Sequence, residues 1–241
     1  MLEESLFPKE LFSNKILEGI PDPARRYLTH AIAPGTPLAS SVTITMRGSI
    51  RLKPRGAWLS MRAKQIIAAP RGFVWKASIG KGPIRITGAD CYFDGSAELR
   101  FWLWGLIPLV KAAGMDIVKS AAGRLAIETC WLPSVWLPQH GARWEPVDEE
   151  STRICVSIGG EELSVLLQVG PNGELRRLSM QRWGDKTKDG SFVAIPFAAE
   201  VEEERNFDGY TIPTRVSVGW WHNTESYFEF FRAAVEHAEF R

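Results

Sequence analysis

The charge run Glu200-Val-Glu-Glu-Glu-Arg205 is the densest group of side chains in the chain that could do acid–base work. Strand alternation would put Glu200, Glu202 and Glu204 on one face, which reads as a solvated face. Glu203 shares the parity of Phe197, Ala199 and Val201, so it is expected to point inward, with Arg205 on the same side. Arg215 lies across the Asp208-Gly209 turn on the following segment. A buried Glu–Arg pair of this kind is either a structural ion pair or part of a general acid–base site. An enzyme built this way would draw on Glu203, Arg205, Arg215 and either His30 or Asp90, converging on one cleft. A second polar group is Arg25, Arg26 and His30, of which Arg26 and His30 share a helix face. They could hold a phosphate or carboxylate head group at a pocket rim, although pairing with acidic neighbours on a helix surface is the commoner use.

Beyond these groups the sequence offers little local chemistry. His140, His222 and His237 lack partners at metal-ligand spacing, and Cys91, Cys130 and Cys155 are odd in number and far apart. Reduced, buried thiols are therefore expected, without zinc or a disulfide framework. Nucleophile-elbow, dinucleotide, phosphate-loop, zinc-protease and calcium-loop motifs do not occur. No catalytic residue is assigned, and no metal or other cofactor is expected. A formal net charge of +1 gives no field favouring nucleic acid or an anionic membrane.

Aromatic content is the anomaly. The 241 residues include 10 tryptophans, a residue rarely left exposed in numbers. They either fill a wide core or line a cavity between a curved sheet and its helices, where aromatic walls suit an apolar ligand. The candidate wall is Trp75, Phe101, Trp102, Trp104, Trp131, Trp136 and Trp220. The strongest subset is residues 101–109, where both alternating faces are apolar and each must meet helix, ligand or partner. The pair Trp102 and Trp104 is the first place to look. Exposed at the surface, Trp220 and Trp221 would instead make a dimerising patch.

The elements that must position these residues are legible from periodicity. Residues 8–33 read as two short helices broken at Gly19-Ile-Pro21, with Asp22 capping the second and Pro23 at its first position. From residue 40 the period becomes two: Val42, Ile44, Met46, Ile50 and Leu52 face one way, and Thr43, Thr45, Arg47, Ser49 and Arg51 the other. Strands follow at 57–68, 72–80, 83–94 and 97–104, with Asp94-Gly95 a hairpin turn. A helix is expected over 114–132, then strands at 142–148, 152–158, 161–169, 174–183, 191–206, 210–221 and 227–240. The last segment separates this pattern from a helix-grip fold, which would end in a long amphipathic helix. One domain over residues 1–241 is expected: N-terminal helices at 1–38, strands at 39–110, a helical insert at 114–132 and strands at 142–241. The acidic opening lacks an apolar run, and no stretch approaches the roughly 20 apolar residues of a membrane-spanning helix. A cytoplasmic location is expected.

Several segments carry a family likeness. Pro21-Asp-Pro-Ala-Arg-Arg-Tyr-Leu28, Ala33-Pro-Gly-Thr-Pro-Leu38, Gly105-Leu-Ile-Pro-Leu109, Ser120-Ala-Ala-Gly-Arg-Leu125, Trp131-Leu-Pro-Ser134 and Asp208-Gly-Tyr-Thr-Ile-Pro-Thr214 together resemble a bacterial family known only as a domain of unknown function. More distantly, the order of helices, strands, helical insert and further strands is similar to the LolA-like lipoprotein and lipid carriers. Gly173-Glu-Leu175 followed by Asp208-Gly-Tyr-Thr-Ile-Pro213 resembles hairpins of that fold. The likeness implies an α+β protein: a strongly curved antiparallel half-barrel with N-terminal helices and one inserted helix on its concave face. The function expected is binding of a lipid-like or other apolar small molecule. The alternatives are the Glu/Arg enzyme and a homodimeric interaction module.

Overall fold

Alternation of apolar and polar residues is carried through thirteen antiparallel strands, which pair into one sheet in the computed structural model of the protein. The structure describes residues 10–241; the acidic opening and the expected helix start at residue 8 lie outside the described residues. Helix α1 is Asp22–Ala31, preceded by a 3-10 turn at Asn14–Leu17. Then come β1 (Val42–Ile50), β2 (Leu59–Ala68), β3 (Gly72–Ile79), β4 (Ile86–Phe93), β5 (Ser96–Leu103) and β6 (Ile107–Ala113). Helix α2 (Met115–Glu128) interrupts, followed by three short 3-10 turns between Thr129 and His140. The second run is β7 (Arg143–Pro146), β8 (Ser151–Ile158), β9 (Glu161–Val169), β10 (Leu175–Gly184), β11 (Val193–Phe207), β12 (Tyr210–Trp220) and β13 (Phe228–Phe240).

The sheet order β6-β5-β4-β3-β2-β1-β13-β12-β11-β10-β9-β8-β7 is two meanders joined where β1 pairs with the last strand, β13. Two-residue turns set the registers. Asp94 and Gly95 both take positive φ, 42° and 83°, as do Asp208 and Gly209 at 50° and 94°, the backbone that matches strand twist in a tight hairpin. Register shifts at Thr45/Met46 and Val218/Gly219, and two in succession between β11 and β12, where Glu202 is extra on β11 and Thr214 extra on β12, bend the central strands. The sheet therefore curls into an open half-barrel rather than lying flat.

Helix α2 lies across the concave side. It packs on β4, β5 and β6 of the first meander and on β8, β9 and β10 of the second, so it spans the trough whose floor is the central strands. Helix α1 closes one end, where Tyr27 meets Trp136 at 5.8 Å between ring centres and Trp136 meets Trp144 edge-on at 6.2 Å. The indoles there are anchored to carbonyls: Trp131 Nε1 donates to Pro213 O at 2.9 Å and Trp144 Nε1 to Trp136 O at 2.9 Å. Cys130 is buried in the same packing, which pushes its thiol far up. No helix among the described residues is long and apolar enough to cross a membrane.

The apolar tract 101–109 divides here. Its first residues end β5, and from Ile107 the chain forms its own edge strand, β6, whose residues are mostly exposed rather than covered on both faces. The expected inward direction of Glu203 also fails, because the extra residue Glu202 re-phases β11 after Val201. Glu203 turns outward to pair with Arg215 at 2.6 Å, both about half exposed. Glu204, expected on the solvated face, turns inward and meets His30 Nε2 at 2.9 Å, which ties α1 to β11.

That contact makes the docking of α1 pH-sensitive. Hydrogen bonding to Glu204 raises the His30 imidazole above its ordinary value, against the opposing effect of burial. A raised folded-state value means the stabilisation is complete below about pH 6.5, the unfolded value, and is lost as pH rises through the folded one. Thermal unfolding of wild type against Glu204→Gln should therefore show a stability gap that is widest in mild acid and shrinks above neutrality. A gap independent of pH would refute the contact.

Candidate functional site

Inside the trough, side chains from both meanders and from α2 meet in an aromatic belt. Phe101 of β5 and Trp75 of β3 have ring centres 6.1 Å apart, and Trp75 meets Phe231 of β13 at 6.4 Å. Phe231 leads through Phe230 at 6.2 Å to Phe197 and Trp220, which meet edge-on at 4.7 Å. Alternation explains the convergence of Trp75, Phe101, Phe197, Trp220 and Phe231, while Phe230 joins them as the extra residue of β13 at the register shift against Val218/Gly219.

Two arginines enter this apolar setting and are treated differently. Arg124 of α2 lies over Phe73 at 4.7 Å and Trp75 at 5.1 Å. Its guanidinium donates to Asp90 Oδ2 of β4 at 2.6 Å and to Glu128 Oε1 one turn along α2 at 2.8 Å. Glu128 in turn accepts from Gln65 Nε2 of β2 at 2.6 Å. The two carboxylates hold Arg124 charged against its burial.

Arg182 of β10 is 9% exposed and lies over Phe197 at 4.7 Å and Trp220 at 4.9 Å. Its Nε donates to Ser120 O of α2 at 3.2 Å. Among the described residues no carboxylate lies within ion-pairing distance of it. Burial, and then the nearby Arg124, pull its pKa down to about 10, so it still carries charge at neutral pH. Trp75 Nε1 and Gln65 Oε1 are likewise buried without a hydrogen-bond partner.

One inward-facing row of the central strands is less completely buried than the rest. Ile50, Leu59, Phe231 and Val218 sit opposite one another across β2, β1, β13 and β12. All four point inward by alternation, yet remain only partly buried, as do Leu99 and Leu103 of β5, Val118 of α2 and Phe230 of β13. At the β6 edge and the start of α2, Leu106, Ile107, Leu109 and Met115 are exposed, Leu106 at 81%.

The expected site residues divide accordingly. Trp75, Phe101, Trp220 and Asp90 do meet in the trough. Trp131 and Trp136 are buried in the packing under α1, away from the belt. Trp102 faces outward, where it borders a depression of about 560 Å³ with Arg62, Lys64 and Lys76. Trp104 is 53% exposed in the β5–β6 turn, with Nε1 bonded to Pro83 O at 3.0 Å. Arg26 pairs with Asp22, as does Arg25, and donates to Glu149 O at 2.7 Å. With His30 on Glu204 and the Glu203–Arg215 pair outside, the proposed Glu/Arg cluster does not converge on one cleft. Trp220 is buried, and Trp221 Nε1 bonds Lys186 O at 2.6 Å, so the pair forms no exposed patch. Arg124 and Arg182 were missed because each reads as an ordinary helix or strand charge. The available signal was Arg182 sharing parity with Leu178 and Met180 on β10.

The unequal pairing of the two arginines gives opposite expectations. Arg124→Met strands two carboxylates in the trough and should destabilise the fold by about 3–5 kcal/mol. Arg182→Met removes a buried cation that has no ion partner and should be neutral or stabilising. Urea unfolding of the two variants decides; equal losses would contradict the assignment.

Two solved structures are similar to the chain at low identity. A LolA superfamily protein from Nitrosomonas europaea is similar with a TM-score of 0.44 and 12% identity, over 91% of this chain and 92% of that one. A DUF1329 family protein from Desulfovibrio piger gives a TM-score of 0.41 and 11% identity, over 91% and 90% of the two chains. No curated protein matches. The model of a family of unknown function, DUF6920, matches residues 18–240, and the chain belongs to that family.

Proposed function

We propose that the protein binds a lipid-like or other apolar small molecule in the trough between α2 and the central strands. The observation that supports this is the row Leu59, Ile50, Phe231 and Val218, inward-facing on the concave side yet only partly buried. Apolar side chains that a fold directs inward and leaves accessible lose stabilisation of roughly 25 cal/mol per Å² until something covers them. An apolar ligand lying along this row would cover them, and the belt of Phe101, Trp75 and Phe231 would form its aromatic wall. The exposed Leu106, Ile107 and Met115 would add apolar surface at the β6 edge and the start of α2.

The neutral dye N-phenyl-1-naphthylamine tests this. Wild type should give a saturable rise in dye fluorescence, and Phe231→Glu should weaken binding about tenfold or more by placing a charge on the wall. Trp104→Glu, an exposed turn position, should leave binding unchanged. Absence of saturable binding, or equal binding by Phe231→Glu with native circular dichroism, would contradict the proposal.

A further inference from the structure

Arg182 is a buried cation with no carboxylate among the described residues in direct contact with it; Glu128, Asp90 and Asp185 act on it only from farther off. The trough holds two guanidinium groups and two carboxylates, but Arg124 takes both Asp90 and Glu128. Of the donors on Arg182, only Nε has a protein partner, the Ser120 carbonyl. The faces of its guanidinium rest on Phe197 and Trp220, which orients the group but neutralises nothing. Helix α2 leaves room for it: a Cβ at Gly123 would come 3.2 Å from Arg182 Cγ, closer than most Cβ contacts.

We propose that Arg182 receives the anionic head, carboxylate or phosphate, of an amphiphile whose apolar chain lies along the aromatic belt. This rests on the apolar-ligand reading above and narrows it to acidic amphiphiles. The terminal nitrogens of Arg182 would bind the head through charge-assisted hydrogen bonds, the geometry for which a planar guanidinium is suited. Trp75 Nε1, buried and unpartnered in the same trough, is a second donor a bound head group or ester linkage could use. Such a head group would supply the counter-ion whose lack makes Arg182 costly to bury.

The test is displacement of the neutral dye by lauric acid, methyl laurate and inorganic phosphate, each below its aggregation limit, from the full chain at neutral pH. Wild type should prefer the acid over the ester by at least about tenfold, the worth of one charge-assisted contact. Arg182→Met should abolish the preference by weakening the acid alone, and Arg182→Lys should keep part of it. Equal affinity of wild type for acid and ester, or a preference that survives Arg182→Met, overturns the inference while leaving apolar binding intact. Failure of both laurates on wild type overturns the broader reading as well. Phosphate that binds by itself and depends on Arg182 would replace the amphiphile with a free anion, and so would also overturn it. Should Arg182→Met not fold, the acid–ester ratio on wild type and on Arg182→Lys carries the decision.

Discussion

Everything in the trough depends on how α2 is tied across it. The helix packs against strands of both meanders, and its contact with the floor runs through Arg124, Glu128, Asp90 and Gln65. In a low-dielectric interior such charges are tolerated only in direct contact, so Arg124 fixes both the rotation of α2 and its distance from β2 and β4. Arg182, on the far wall, is left with aromatic faces and a carbonyl, and among the described residues no acid is in direct contact with it.

Much of the architecture could be read from periodicity because the strands obey it strictly. β3 alternates buried and exposed positions from Phe73 to Ile79, and the Asp-Gly turns mark two hairpin tips. The C-terminal segment reads as strand and is β13, paired with β1 at the centre of the sheet. What alternation could not show is where it slips. An extra residue on β11, Glu202, followed by one on β12, Thr214, accompanies the turn of Glu203 outward and Glu204 inward, and no residue type announces that change.

The aromatic wall was legible only in part, and for a related reason. Trp75, Phe101 and Trp220 lie on strands with a clear inner parity, and they meet as that parity implies. Trp102 and Trp104 sit where apolar residues occupy both parities, so the sequence cannot say which side is inside. Phe101 takes the inner position and Trp102 the outer, while Trp104 lies in a turn at φ 54°. The two arginines were hidden because their meaning is relational: Arg124 matters through Asp90, thirty-four positions away in sequence, and Arg182 through the absence of any such partner.

The central claim is that the ligand lies between α2 and the trough floor. Photo-crosslinking with a diazirine-bearing lauric acid, followed by mass-spectrometric mapping of the labelled peptides, tests it most directly. Labels are predicted on peptides carrying Leu59, Phe231 and Val118, competed away by unlabelled lauric acid. Label confined to the outer face around Trp102 and Lys76, or indifferent to competitor, would contradict the account.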